Sequence, residues 1–176
     1  MALLTVFGGI IKCMKKVLIT QGKMVIVDNE DYSFLNSKKW RLNNVEQRNY
    51  YAVREIWNKG KRYTEHMHRV VLERILGRKL KFREKTDHID GNGLNNRRNN
   101  LRVCNQTQNL GNASKRKDNK SGHKGVYFDK SRKKFQVYIN FDKKRYRLGR
   151  FSDFNEACNA YNKKAIELFG SFARLE

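Results

Sequence analysis

At 176 residues the chain has room for one medium domain or two small ones, which excludes a single large enzyme barrel. Its 39 Lys and Arg against 17 Asp and Glu give a formal charge of +22, an excess that repels itself unless the working partner is a polyanion, so nucleic acid is the first candidate. A membrane partner is excluded for want of an amphipathic Lys/Arg helix or a long apolar span, and the three scattered cysteines, Cys13, Cys104 and Cys158, offer neither a zinc pair nor a disulfide framework and imply a reducing, cytoplasmic setting.

Along the chain, Met1 to Ile11 is apolar but too short to span a bilayer, and it lacks the positive start of an export signal. Residues 1–13 read equally as an upstream extension before Met14 or as an ordinary first strand. Lys16 to Thr20 and Met24 to Val27 predict a hairpin around Gly22-Lys23, and Tyr50 to Ile56 and Tyr63 to Met67 predict strands around the turn cluster 58–61. From His68 to Leu76 the apolar residues Val71, Leu72, Ile75 and Leu76 fall at helical spacing, with Gly77 where a C-terminal cap belongs. The segment Asp87 to Cys104 is nearly all Gly, Asn and Arg in its middle, so it predicts two short strands, Thr86 to Ile89 and Leu101 to Cys104, joined by an extended loop. Asn105 with Gln108 three residues on is a capping pair, starting a short helix that carries Asn109 and Asn112.

Hydrolysis of a phosphodiester requires a base for water and a cation for the charge that builds on phosphorus and on the departing oxygen. Asp87 and His88 offer both on neighbouring residues: an imidazole with an ordinary pKa near ~6.5, expected to end its strand facing the DNA, and a hard oxygen ligand. A single carboxylate is a thin site for a divalent ion, and the amide oxygen of Asn109 is the natural second ligand. Asp90, Asn95, Asn96 and Asn99 read as turn formers, His66 and His68 as packing groups, and Asn112 either as a group behind the ligands or as a helix-end residue.

The frame Asp-His-Ile-Asp-Gly-Asn, then Asn-Asn-Leu-Arg, then Gln-Asn-Leu-Gly-Asn, preceded by His68-Arg69, resembles the HNH nuclease motif in its phage and intron homing-endonuclease form. The resemblance implies His88 as general base, Asn100 as a brace for the loop, Asp87 and Asn109 as ligands of Mg²⁺ or Mn²⁺, and double-stranded DNA as substrate. Asn109 stands where many HNH enzymes carry a histidine.

Residues 114–123 are charged and aperiodic and read as a basic linker. Beyond them Gly125 to Phe128, Phe135 to Phe141 and Arg145 to Phe151 predict three strands, followed by a helix capped by Asp153 and Glu156 and closed by Gly170. Phe135, Val137, Ile139 and Phe141 alternate with Gln136, Tyr138 and Asn140, so one face is core. In the third strand Arg145, Arg147 and Gly149 alternate with Tyr146, Leu148 and Arg150. From Ser114 to Phe151 there are 14 Lys and Arg against three Asp, a density that points to DNA. The run Ser121 to Phe128 with Leu148-Gly149-Arg150-Phe151 and the helix after it resembles an AP2-type DNA-binding domain, which implies that the sheet lies in the major groove.

The expected architecture is α+β: a ββα-metal nuclease module over 14–113, the linker 114–123, and a three-stranded antiparallel sheet packed on one helix over 124–176. The two modules are expected to be separable, the first cutting and the second adding affinity. Expected DNA contacts are Lys124, Tyr127, Gln136, Tyr138, Arg145, Arg147 and Arg150 on the second module, Lys115, Arg116 and Lys117 in the linker, and Arg97, Arg98 and Arg102 beside the nuclease loop. The reading is of a monomeric endonuclease; the alternative from another class is an inactive, sequence-specific DNA-binding protein on the same scaffold.

Overall fold

The computed structural model describes residues 14–45 and 49–175, so the apolar segment 1–13 and Cys13 lie outside the described residues. The chain is mixed α and β with small antiparallel sheets, divided into two compact units. One runs up to Lys79 and takes in Asn92–Arg102; the other comprises Leu80–Gly91 and Val103 onward.

In the first unit β1 (Met14–Leu18) and β2 (Met24–Asp28) pair antiparallel, with Val17, Val25 and Val27 turned into the core by the two-residue period of a strand. Helix α1 (Asn29–Asn36) follows, then the sheet β3 (Arg41–Val45), β4 (Asn49–Asn58) and β5 (Lys61–His66), then α2 (Met67–Leu76). The β4–β5 turn has positive φ at both Lys59 and Gly60, the primed geometry whose twist suits a two-residue hairpin. In α2 the buried residues Met67, Val71 and Leu72 share one face, and Gly77 ends the helix in the left-handed conformation. Neither α1 nor β3 is expected from the sequence. Asp28, at the N-cap of α1, makes no side-chain cap; its carboxylate instead accepts the Arg98 backbone N–H at 2.8 Å.

The loop 92–102 is sewn to this unit by backbone pairing. Ile26 N–H donates to Leu94 O at 2.9 Å, Asn96 N–H donates to Ile26 O at 2.8 Å, and Ile26 and Asn95 form a parallel bridge. Asp31, fully buried, holds Arg98 through two hydrogen bonds of 2.6 and 3.0 Å and Arg74 through one of 2.8 Å. Burial alone would raise the Asp31 carboxyl, but the hydrogen bonds and charges of Arg98 and Arg74 outweigh it and hold it below the usual carboxylate range.

The second unit holds β6 (Lys85–His88), the Val103–Cys104 end of β7 (Leu101–Cys104), which pairs with it in a two-stranded sheet, and α3 (Gln106–Asn112). Then come β8 (Val126–Asp129), β9 (Lys134–Phe141), β10 (Lys144–Phe151) and α4 (Phe154–Phe169). The last three strands form an antiparallel sheet with β9 in the middle. Its inner face and α4 share a core of Val126, Val137, Ile139, Ala157, Tyr161, Ala165 and Phe169. Asp153 caps α4 by accepting the Glu156 N–H at 2.8 Å.

Two expectations need correction. The segment 114–123 is not a free linker: it lies inside the second unit, folded by hydrogen bonds from Asn119 Nδ2 to His123 O at 2.9 Å and from Ser121 Oγ to Val126 O at 2.6 Å. Simple alternation also fails in β10. Arg147 pairs with Tyr138 but Gly149 pairs with Val137, so Leu148 is an extra residue in a bulge. The bulge reverses the parity, and Arg150, opposite Gln136, joins Arg145 and Arg147 on the outer face.

Candidate nuclease centre and nucleic-acid face

His88 is the last residue of β6, and the chain turns there: Gly91 N–H donates to His88 O at 2.9 Å, with Gly91 at φ 75°. Helix α3 is fixed at its start by a reciprocal capping box, with Gln108 N–H donating to Asn105 Oδ1 at 2.8 Å and Asn105 N–H to Gln108 Oε1 at 2.9 Å. Its last residue, Asn112, reaches back to β6. The Asn112 amide Nδ2 donates to Asp87 Oδ1 at 2.9 Å and to the His88 backbone carbonyl at 2.8 Å. One buried amide therefore ties the aspartate and the histidine to the helix that carries Asn109.

Asp87 and His88 are 4% and 7% exposed, so the open, DNA-facing imidazole expected from sequence is replaced by an enclosed one. Enclosure suits a base, which needs one nitrogen within hydrogen-bond reach of water and no freedom to wander. Asn109 is half-buried on α3. In the first unit Asn100 is buried and donates from Nδ2 to Asn95 O at 2.8 Å, bracing the loop across five residues. Asn112 is the residue whose role the sequence left open; its signal was position, one turn beyond Asn109 on the same short helix.

Among the described residues no three His, Cys, Asp or Glu side chains cluster as a metal-binding group. The donors available around β6 and α3 are a carboxylate and amides, a hard-oxygen set that fits Mg²⁺ or Mn²⁺ better than a thiophilic ion. His66 and His68 of the first unit pack against one another and Tyr51, with ring centroids 5.1 Å apart for the histidines and 6.3 and 5.3 Å to the tyrosine. Burial, then the charges of Arg69 and Arg41, lowers the His66 pKa below the ordinary histidine value.

The basic residues divide into two groups. Arg98 is occupied by Asp31 and by Glu30 at 3.1 Å; Arg97 donates to Asn95 Oδ1 at 2.9 Å and reaches Met14 Sδ at 3.2 Å. Arg102 is half-buried in β7. Lys124 Nζ donates to the carbonyls of Leu110, Gly111 and Ala113 at 3.0, 2.9 and 2.8 Å. Lys115 Nζ donates to Gly122 O at 2.7 Å, while Arg116 and Lys117 are exposed, Arg116 only 3.8 Å from Asp118.

By contrast, Arg145, Arg147 and Arg150 are exposed on the outer face of the sheet with Gln136 and two tyrosines. The Tyr127 and Tyr138 rings are stacked, 4.8 Å apart and 3° from parallel, and the Arg145 guanidinium lies 4.4 Å from the centre of the Tyr138 ring. The hydrogen bond with Tyr138, then burial, pushes the Tyr127 phenol up to about 12, so it stays a neutral donor in any working range. A groove of about 560 Å³ lies beside this face, lined among others by Lys115, Arg116, Tyr127, Tyr138 and Arg145.

The profile of the HNH endonuclease family matches residues 65–110, which include Asp87, His88, Asn100 and Asn109. Protein 3.8 of Escherichia phage T7 is 35% identical over 88 residues, covering 50% of this chain and 72% of that protein. The chain belongs to the protein 3.8 family. Within this member of the family, residues 65–110 match the HNH endonuclease family model, and the clamp from Asn112 lies just past the matched segment. No solved structure matches the chain. Among the described residues no helix is long and apolar enough to cross a membrane.

Proposed function

We propose that this protein is a metal-dependent endonuclease that hydrolyses phosphodiester bonds in double-stranded DNA, nicking or cutting a specific site in the manner of a homing nuclease. The observation that carries the reading is the Asn112 clamp on Asp87 and His88, two residues of the segment that matches the HNH endonuclease family. His88 takes the proton from the attacking water. Asp87, oriented by Asn112, and Asn109 would hold Mg²⁺ or Mn²⁺, which when bound supplies positive charge to the phosphate in the transition state. Asn100 keeps the loop folded by its bond to Asn95.

Residues 124–176 act, on this reading, as an AP2-like module, supported by the three-stranded sheet on α4 and by the outward set Tyr127, Gln136, Tyr138, Arg145, Arg147 and Arg150. Arginine forks suit guanine edges and phosphates alike, while exposed Arg116 and Lys117 suit phosphates. The protein works as a monomer in the cytoplasm. A supercoiled-plasmid assay with Mg²⁺ tests the proposal: wild type converts substrate to nicked or linear product, while His88→Ala and chelator-treated protein do not. Intact plasmid from wild type across metals and pH, together with a specific gel shift, would establish the inactive DNA-binding protein instead.

A further inference from the structure

Lys124, one of the side chains expected from sequence to contact DNA, spends its ammonium on the end of α3. Its three protons meet three carbonyls, those of Leu110, Gly111 and Ala113, at 2.8 to 3.0 Å. Leu110 and Gly111 belong to the last turn of α3 and Ala113 is its C-cap, so the cation sits at the negative end of the helix dipole. Lys124 precedes β8, so the lysine fastens the helix bearing Asn109 and Asn112 to the C-terminal sheet.

Two further contacts fasten the same turn. Arg174 N–H donates to Gly111 O at 3.3 Å. Gly111 itself lies so close to the end of α4 that a Cβ there would stand 2.7 and 2.8 Å from Phe169 ring carbons and 3.0 Å from Phe172 O. Only a glycine lets the backbone of α3 approach this surface. At the other end of the nuclease strand, the Arg174 guanidinium occupies the space that a side chain on Gly91 would need, three residues after His88. The C-terminal segment thus touches both the turn after the base and the helix of the ligand.

We infer that the C-terminal module is a structural part of the nuclease centre, and that Lys124 is a positioning residue that holds Asn109 and Asn112 in place by capping α3. This deepens the endonuclease reading and rests on it. It replaces the expectation of separable modules, and it predicts a kinetic signature opposite to that of a phosphate contact. A lysine bound to phosphate releases a counterion, so its loss weakens DNA binding and reduces the slope of log K against log salt by about 0.9. A lysine that sets the site leaves binding alone and lowers turnover.

The test uses full-length wild type, Lys124→Met, Lys124→Arg and Gly111→Ala. Four quantities are measured: DNA affinity as a function of salt, the kcat and KM of nicking, affinity for Mn²⁺ alone, and hydrogen exchange at the α3 amides. For Lys124→Met the expected result is faster exchange over residues 109–112, and kcat and Mn²⁺ affinity each lower by roughly tenfold. DNA affinity and its salt slope stay unchanged, and Lys124→Arg restores most of the loss. Gly111→Ala produces the same pattern through a different atom, which separates loss of the lysine from loss of the seat. Unchanged exchange and turnover in Lys124→Met, with weaker binding and a shallower salt slope, would overturn the inference and return Lys124 to the DNA contacts. If wild type fails to nick at all, the nuclease reading falls, while exchange and Mn²⁺ binding still decide whether Lys124 holds α3.

Discussion

Replacing Asn112 by alanine isolates the clamp between α3 and β6. The substitution deletes two hydrogen bonds, one to the Asp87 carboxylate at 2.9 Å and one to the His88 carbonyl at 2.8 Å. A bond to a charged group contributes about 1.5–3 kcal/mol and a neutral one about 1 kcal/mol, and both acceptors belong to residues less than 8% exposed, where water replaces the amide poorly. The expected loss is therefore about 2.5–4 kcal/mol. Urea unfolding should give a lower midpoint with an unchanged slope, and hydrogen exchange should place the loss in β6 and α3. In the nicking assay the variant should fall by roughly 10–100-fold while still folded, because Asp87 and His88 lose their common tether. Combining Asn112→Ala with Asp87→Ala should cost less than the sum of the two, since each removes the same bond. A variant within about 0.5 kcal/mol of wild type, or one that cuts at the wild-type rate, would refute the claim that this amide assembles the centre.

Other predictions follow from how the charged groups are occupied. Arg98→Ala should destabilise the first unit by about 3 kcal/mol, because it strips the buried Asp31 of its bidentate partner, yet leave the salt dependence of DNA binding unchanged; chemical denaturation and salt titration read the two effects separately. Because the Asp31 carboxyl is depressed in the folded chain, its contribution is fully present above the unfolded value of about 3.9 and is lost as pH falls through the folded value. Asp31→Asn should therefore be less stable at neutral pH and flatten the acid limb of a stability–pH curve. Arg147→Ala and Arg150→Ala, which share the outer sheet face, should each weaken DNA binding by about 1–3 kcal/mol without changing stability, measured by gel shift beside thermal unfolding.

Local signals carried most of the elements. Hairpins announced by turn residues, helices announced by Asn105 and Asp153 at their starts, and the core alternation of β9 all depend on neighbours within a few positions. Helix α1 was not legible because its run Asn-Glu-Asp-Tyr-Ser-Phe-Leu-Asn has little apolar periodicity, and its acidic residues are there for partners far along the chain, Arg74 and Arg98. Arg150 is an expected DNA contact, yet its outward turn does not follow from alternation: a single bulged residue, Leu148, inverts the period after it, and nothing in the letters marks which residue will be extra. Among the candidate site residues the letters identify chemistry but not engagement. Arg98, Lys124 and Arg147 are equally cationic on paper, and only long-range contacts assign the first to a buried aspartate and the second to a helix end.

The size of the nuclease elements explains why so much of the chain is spent on holding them. Strands β6 and β7 have four residues each and α3 has seven, lengths at which an isolated hairpin or helix is marginal in water. Neither element can be held by its own core, so each half of the motif is built into a different support. The loop containing Asn100 is sewn to β2 through Ile26 and anchored by Asp28 and Asp31, all within the first unit. Asp87, His88 and Asn109 depend on Asn112, Lys124 and Gly111, all within the second. The candidate reacting groups are few and local in sequence, whereas the residues that keep them still are spread from Asp28 to Arg174. On the proposed endonuclease reading, substitutions that silence activity without touching the motif should therefore concentrate at these anchors and be recognisable by lost protection in one unit at a time.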